Sequence, residues 1–253
     1  MKLDCILTAV NENELYIDFI PIFIKTWNKL YPEVDVKVIL VMNYIPEKFL
    51  EYKDNIILFN TIPNVSTSFI SQYIRILYPC ILNYENGIMI TDIDMLPMNR
   101  TYYTEHVKEY DNTKFIYLRE NICFEYDQIA ICYNIATSKI WKDIFNISSI
   151  NDIRQFLLTR FKEIEYKEGH GNTGWCTDQI DLYSNVFKWN MKTNNLICLD
   201  EKKTKFNRLD RNTFNINDII IRNNIKNGVY SDYHCFRPMK EYEEVNNFIF
   251  DLL

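Results

Sequence analysis

Residues 3–91 alternate apolar runs of strand length with segments of helical spacing, and no other feature of the chain constrains its fold as tightly. Residues 3–10, 36–41, 55–58 and 88–91 read as strands. Between them Tyr16, Phe19, Ile20, Phe23, Trp27 and Leu30 recur at helical spacing, residues 47–52 read as a short helix and 66–78 as a longer one. Such alternation predicts an α/β fold with a mostly parallel central sheet flanked by helices. Past Asp94 the rhythm loosens into helices over 102–110, 138–145 and 151–166 and strands over 115–118 and 129–133. A last helix, capped by Thr177 or Asp178, runs to residue 187. No linker-like tract and no internal repeat divides the 253 residues, so one domain is expected.

The strand over 88–91 runs into Asp92-Ile93-Asp94. A short apolar run that stops at Asp-x-Asp sets two carboxylates at the carboxyl edge of a sheet, where open α/β folds collect ligands. Hard carboxylate oxygens there suit a divalent cation such as Mn²⁺ or Mg²⁺, which in turn holds a diphosphate. The plain alternative is that Asp ends strands because it favours turns. What argues for chemistry is the apolar strand before the motif and the polar clusters after it.

Three of the five glycines, Gly169, Gly171 and Gly174, fall just ahead of Trp175. Glycine permits positive φ and close backbone approach, so residues 168–174, His170 among them, read as a mobile loop beside a ligand. Trp175-Cys176-Thr177-Asp178-Gln179 follows directly, and a carboxylate such as Asp178 serves as general base when it lies within hydrogen-bond reach of a hydroxyl nucleophile. Near the end, Ser231–Lys240 gathers His234, Arg237 and Lys240 in a segment able to close over a ligand. A neutral His234 imidazole would complete a metal site with Asp94, and the two cations would balance a diphosphate. Within the helix over 66–78, Ser68, Gln72 and Arg75 share a polar face. Solvation explains most such stripes, yet the Arg75 guanidinium also suits a diphosphate or the ordering of carboxylates. Tyr102, Tyr103, Phe124, Tyr126 and Tyr133 are compatible with stacking on a ligand, although aromatic residues at this density usually build core.

Composition narrows the class of partner. A formal charge of −6 argues against duplex nucleic acid, and 47% hydrophobic residues are ample for a sizeable core. Seven scattered cysteines, an odd number without a Cys-x-x-Cys pair, fit a reducing compartment and buried thiols. No segment reads as a membrane span or as the apolar core of a signal peptide. A cytoplasmic location is expected, although the sequons at Asn64 and Asn146 would carry glycans in a secreted protein.

Taken in order, the strand ending Thr8-Ala9-Val10-Asn11, the Ser68/Gln72/Arg75 helix, Asp92-Ile93-Asp94, Trp175-Cys176-Thr177-Asp178-Gln179 and His234-Cys235-Phe236-Arg237-Pro238 form an ordered set. Over nearly the whole chain it resembles the nucleotide-sugar-dependent glycosyltransferases of the GT-A fold. Among them it is most similar to the compact enzymes of large DNA viruses and to glycogenin-like families. The resemblance implies a Rossmann-like nucleotide-sugar-binding half over 1–98, and an acceptor-binding half with a closing C-terminal segment over 99–253. It implies that Thr8, Ala9, Val10 and Asn11 border the base and ribose, with Arg75 at the donor phosphates or sugar. Asp92 would meet the ribose or the cation, Asp94 and His234 would ligate Mn²⁺ or Mg²⁺, and Arg237 and Lys240 would lie beside the diphosphate. Asp178 would be the general base, with Gln179, Trp175, His170 and Tyr133 around the donor or acceptor sugar.

The activity so implied is metal-dependent transfer of a sugar from a UDP-linked donor to a glycan hydroxyl, in the host cytoplasm if the chain is viral. The glycogenin-like pattern reads Asp-Gln-Asp and carries a Gly between its tail His and a Lys-Pro pair. Here Ile180 follows Gln179 and the next acid is Asp181, which leaves donor sugar and stereochemistry open. Two rivals stand beside this reading. One is a noncatalytic nucleotide- or carbohydrate-binding module of the same fold. The other is a phosphohydrolase using Asp-x-Asp as nucleophile and acid, which would carry the motif on a first strand with a small hydroxyl residue soon after; Met95 and Leu96 follow here.

Overall fold

The computed structural model describes residues 1–120 and 127–253. Along the chain run β1 (Leu3–Asn11), α1 (Ile20–Leu30), β2 (Asp35–Val41), β3 (Ile56–Phe59), α2 (Thr67–Leu77), β4 (Gly87–Ile90), β5 (Met95–Pro97) and α3 (Tyr102–Glu105). The second half adds β6 (Phe115–Tyr117), β7 (Asn134–Thr137), α4 (Ser138–Phe145), α5 (Ile150–Glu163), α6 (Thr177–Thr193), β8 (Leu196–Cys198), α7 (Glu201–Thr204), β9 (Arg208–Asp210), α8 (Ile219–Lys226), β10 (Asp232–His234) and α9 (Glu243–Leu252).

The described strands form a seven-stranded sheet in the order β3-β2-β1-β4-β7-β6-β8. β1 lies between parallel partners β2 and β4, and β7 is the antiparallel strand between β4 and β6. The sheet is therefore mostly parallel, as the β/α alternation requires. Strand order reverses where β1 meets β4, the switch point at which ligands enter open α/β sheets. Both faces are covered, which is why these strands read as unbroken apolar runs. Ile6 and Val10 pack on one face with Phe23 and Trp27 of α1, while Leu7 and Ala9 pack on the other with Phe69, Ile70 and Ile74 of α2.

A three-stranded sheet, β5-β10-β9, was outside the expected pattern because three-residue strands have too short a period to read. In it His234 pairs with Met95 on an antiparallel side and with Asp210 on a parallel side. The chain's last quarter is thereby fastened next to the Asp-x-Asp motif.

Three expected elements take other bounds or another form, and β8, α7, α8 and α9 were not expected. Residues 129–133 are not a strand, which begins instead at Asn134; the Asn134 side chain donates to the Ala130 and Ile131 carbonyls at 2.7 Å each and turns the chain there. The helix expected over 102–110 stops at Glu105, after which Val107 and Tyr110 N–H groups reach back only three residues. The helix beginning at Thr177 runs past residue 187 to Thr193, where Asn194 takes the left-handed conformation that ends it. Among the described cysteines, Cys5, Cys80, Cys132 and Cys235 are buried thiols. No helix among the described residues is long and apolar enough to cross a membrane.

Candidate active site

At the carboxyl ends of β1 and β4 a cleft of about 450 Å³ opens, within the range of small-molecule sites. Ala9, Val10 and Asn11 from the end of β1 and Arg75 from α2 line it, with Asp92 and Asp94 from the β4–β5 turn. The second half contributes His170, Trp175, Asp178, Gln179, His234 and Arg237. Segments more than 200 residues apart in sequence thus meet in one cleft.

Three expected residues lie elsewhere. Thr8 is fully buried and does not line the cleft. Tyr133 is fully buried in the aromatic core against Tyr103, with its hydroxyl donating to Asp232 at 2.6 Å. Lys240 is exposed at a separate hollow shared with Asp18, Lys48 and Glu243. Tyr102 and Tyr103 are likewise core, and Phe124 and Tyr126 lie outside the described residues.

One pole of the cleft is built around Asp94. Its carboxylate Oδ2 is 3.5 Å from His234 Nε2, 3.3 Å from Arg211 Nη1 and 3.6 Å from Arg237 Nη1. Burial works to raise this carboxyl, but the His234 contact and the two guanidiniums outweigh it and hold the group below its ordinary range. Arg211 also donates to the Cys235 carbonyl at 2.7 Å, and the Cys235 N–H donates to the Asp94 carbonyl at 2.9 Å. Arg237 donates to the Tyr16 hydroxyl and lies 5.1 Å from that ring's centre. Sequence reasoning missed Tyr16 and Arg211. Only the pairing of β9 with β10 brings Arg211 here, and no local pattern carries that signal.

The other pole is Asp178. Neither it nor Thr177 is the helix cap; Cys176 holds that position and the Thr177 hydroxyl donates to the Gly174 carbonyl. Asp178 lies in the first turn, where the helix dipole favours a carboxylate, and its Oδ1 accepts the Gln179 N–H at 3.0 Å. Burial pushes its carboxyl up to about 6, with Arg75 pulling down and Asp92 adding to the rise. Arg75 joins the two poles: one Nη donates to Asp92 and the other lies 3.4 Å from Asp178.

The polar stripe of α2 is accordingly no solvated face. The Tyr166 hydroxyl donates to the Gln72 side-chain oxygen at 2.8 Å and accepts from the Ser68 hydroxyl at 3.0 Å, and Gln72 Nε2 donates to the Trp175 carbonyl. These bonds tie down the glycine-rich loop, whose Gly169, Gly171 and Gly174 all take positive φ. A Cβ at Gly174 would sit 2.4 Å from the Glu165 carbonyl oxygen. Across the mouth, Asn13 donates to Glu168 at 2.7 Å.

Among the described residues no group of three or more His, Cys, Asp or Glu side chains is placed to hold a metal ion by itself. The donor set still suits a hard divalent cation of the Mg²⁺ class, which takes one or two carboxylates and fills its shell with water and substrate phosphates. Asp94 and His234 face each other closely enough to share one cation with bonds of about 2.1 Å. Asp92 is ion-paired to Arg75 and does not complete a three-residue ligand group with them.

No protein-family model matches the sequence, and no curated protein matches it. Solved structures do. The galactosyltransferase LgtC in complex with donor and acceptor sugar analogues aligns with a TM-score of 0.51 and 12% identity, over 98% of this chain and 94% of its own. The glycosyltransferase GlyE of Streptococcus pneumoniae TIGR4 aligns with a TM-score of 0.51 and 14% identity, over all of this chain and 60% of its own. At such identities the likeness is one of fold: this chain has the GT-A fold of these glycosyltransferases.

Proposed function

We propose that the chain is a glycosyltransferase that moves a sugar from a nucleoside diphosphate donor, UDP-linked, to a hydroxyl of a glycan acceptor. The convergence of Asp92, Asp94, His234, Arg237 and Asp178 in one cleft at the sheet's switch point carries the assignment. LgtC, of the same fold, has been solved with donor and acceptor sugar analogues, the ligand class assigned to the cleft here.

Ala9, Val10 and Asn11 border the base and ribose within a nucleotide-sugar-binding half over 1–98, and 99–253 forms the acceptor-binding half with a C-terminal segment that closes over the donor. Asp94 and His234, with Asp92 beside them, would hold a divalent cation, Mn²⁺ or Mg²⁺, whose positive charge would stabilise a departing diphosphate. Arg237 and Arg211 add permanent charge at the same pole. Asp178 takes the proton from the acceptor hydroxyl as the new bond forms, and Arg75 holds its carboxylate in place. Trp175 offers a face to a sugar ring, and Gln179 and His170 offer hydrogen bonds to its hydroxyls.

Calorimetric titration with UDP tests the cation pole. UDP is expected to bind in Mn²⁺ and to lose most of its affinity on chelation, and Asp94→Ala is expected to abolish the Mn²⁺-dependent part. Unchanged Mn²⁺ dependence in that variant would remove the cation from Asp94.

A further inference from the structure

Behind the cation pole, outside the cleft wall, sits a carboxylate that the proposed chemistry does not use. Asp210 ends β9, and strand register makes it the parallel partner of His234 in β10. Paired residues in neighbouring strands project side chains on the same face, so the register delivers the carboxylate to the ring. Asp210 Oδ2 lies 2.9 Å from His234 Nδ1, while Nε2 points the other way, 3.5 Å from Asp94 Oδ2. Both ring nitrogens face a carboxylate, and the contact at Nδ1 is the one of hydrogen-bond length, which favours the proton there and turns the Nε2 lone pair toward Asp94. Metal-binding histidines are commonly oriented in this way.

Building on the cation site proposed above, we infer that Asp210 is a positioning residue: it fixes the Nδ1–H tautomer and ring orientation of His234, so that Nε2 faces a divalent cation held with Asp94. Asp210 itself does not line the cleft. Its other oxygen accepts the Asn212 N–H at 2.9 Å, which anchors the carboxylate, and the next residue, Arg211, donates to Asp94 at 3.3 Å. One turn therefore fixes both the imidazole and the carboxylate that would share the cation.

Two readouts test this, neither of them turnover. The chain has only three histidines, so long-range ¹⁵N correlation spectra of the metal-free protein at pH 8 resolve each tautomer. His234 is expected as Nδ1–H in the native protein, and as a mixture or as Nε2–H in Asp210→Ala. Mn²⁺ titration in the presence of UDP, followed by loss of the free-ion paramagnetic resonance signal, is expected to show 10- to 100-fold weaker binding in that variant. Asp210→Asn keeps an oxygen for Asn212 and so preserves the turn, and is expected to weaken Mn²⁺ by a similar factor with an unchanged melting temperature. Native His234 found as Nε2–H, or native Mn²⁺ affinity in both Asp210 variants while His234→Ala loses it, overturns the role of Asp210 alone. Native Mn²⁺ affinity in both His234→Ala and Asp94→Ala overturns the cation site and the positioning role together.

Discussion

Asp178 is the residue at which chemistry and stability are set against each other. Its folded carboxyl, raised to about 6 by burial, is easier to protonate than in the unfolded chain. The native state therefore holds the extra proton between about pH 4 and pH 6, and stability falls as pH rises through that window. Above it the ionised group is a standing cost. Asp178→Asn is expected to raise stability at pH 8 by up to about 3 kcal/mol, a gain that vanishes near pH 4, as denaturant melts at the two pH values would show. The same substitution is expected to spare UDP binding and to cut transfer by about 100-fold or more. In the native protein kcat/KM is expected to rise through pH 6 and level off. A variant that transfers at the native rate removes Asp178 as base. Tyr133 offers the opposite case, a residue read as a sugar contact that is buried core. Tyr133→Phe is expected to cost about 1 to 3 kcal/mol by depriving Asp232 of a donor, with donor KM unchanged.

At the scale of elements, the strands and helices of the first half were legible locally, whereas α8, α9 and the elements that depend on partners were not read. The sheet strands β1 to β4 announce themselves because both faces are buried and their apolar runs are continuous. The Asp-x-Asp turn and the glycine loop are visible for a related reason, since each breaks a pattern at a point. The Ser68/Gln72/Arg75 stripe could be seen but not interpreted, because its partners Tyr166, Trp175, Asp92 and Asp178 come from other elements. β5, β9 and β10 were invisible, and with them the roles of Asp210 and Arg211. The stripe predicts that the loop's seating governs donor binding. Tyr166→Phe removes the hydroxyl bonds to Ser68 and Gln72, costs about 1 kcal/mol, and is expected to raise donor KM several-fold with a smaller effect on kcat. Equal KM in variant and native protein would make the loop a bystander.

Across the whole molecule, the cleft joins the ends of the chain: Ala9 to Asn11 close one wall and His234 to Arg237 the other, with the acids between them. Ligand that bridges these walls is expected to stabilise the fold as one unit. Mn²⁺ and UDP together, at about 100 times their dissociation constant, are expected to add about 2.7 kcal/mol, read as a rise in melting temperature that chelator reverses. The most direct test of glycosyl transfer is release of nucleoside diphosphate from a panel of UDP-, GDP- and dTDP-sugars, first with Mn²⁺ and then with chelator. Release of UDP from one UDP-sugar, dependent on the cation and lost in Asp94→Ala, is the predicted result. No release from any donor, together with no thermal shift on adding nucleotide and Mn²⁺, would contradict it.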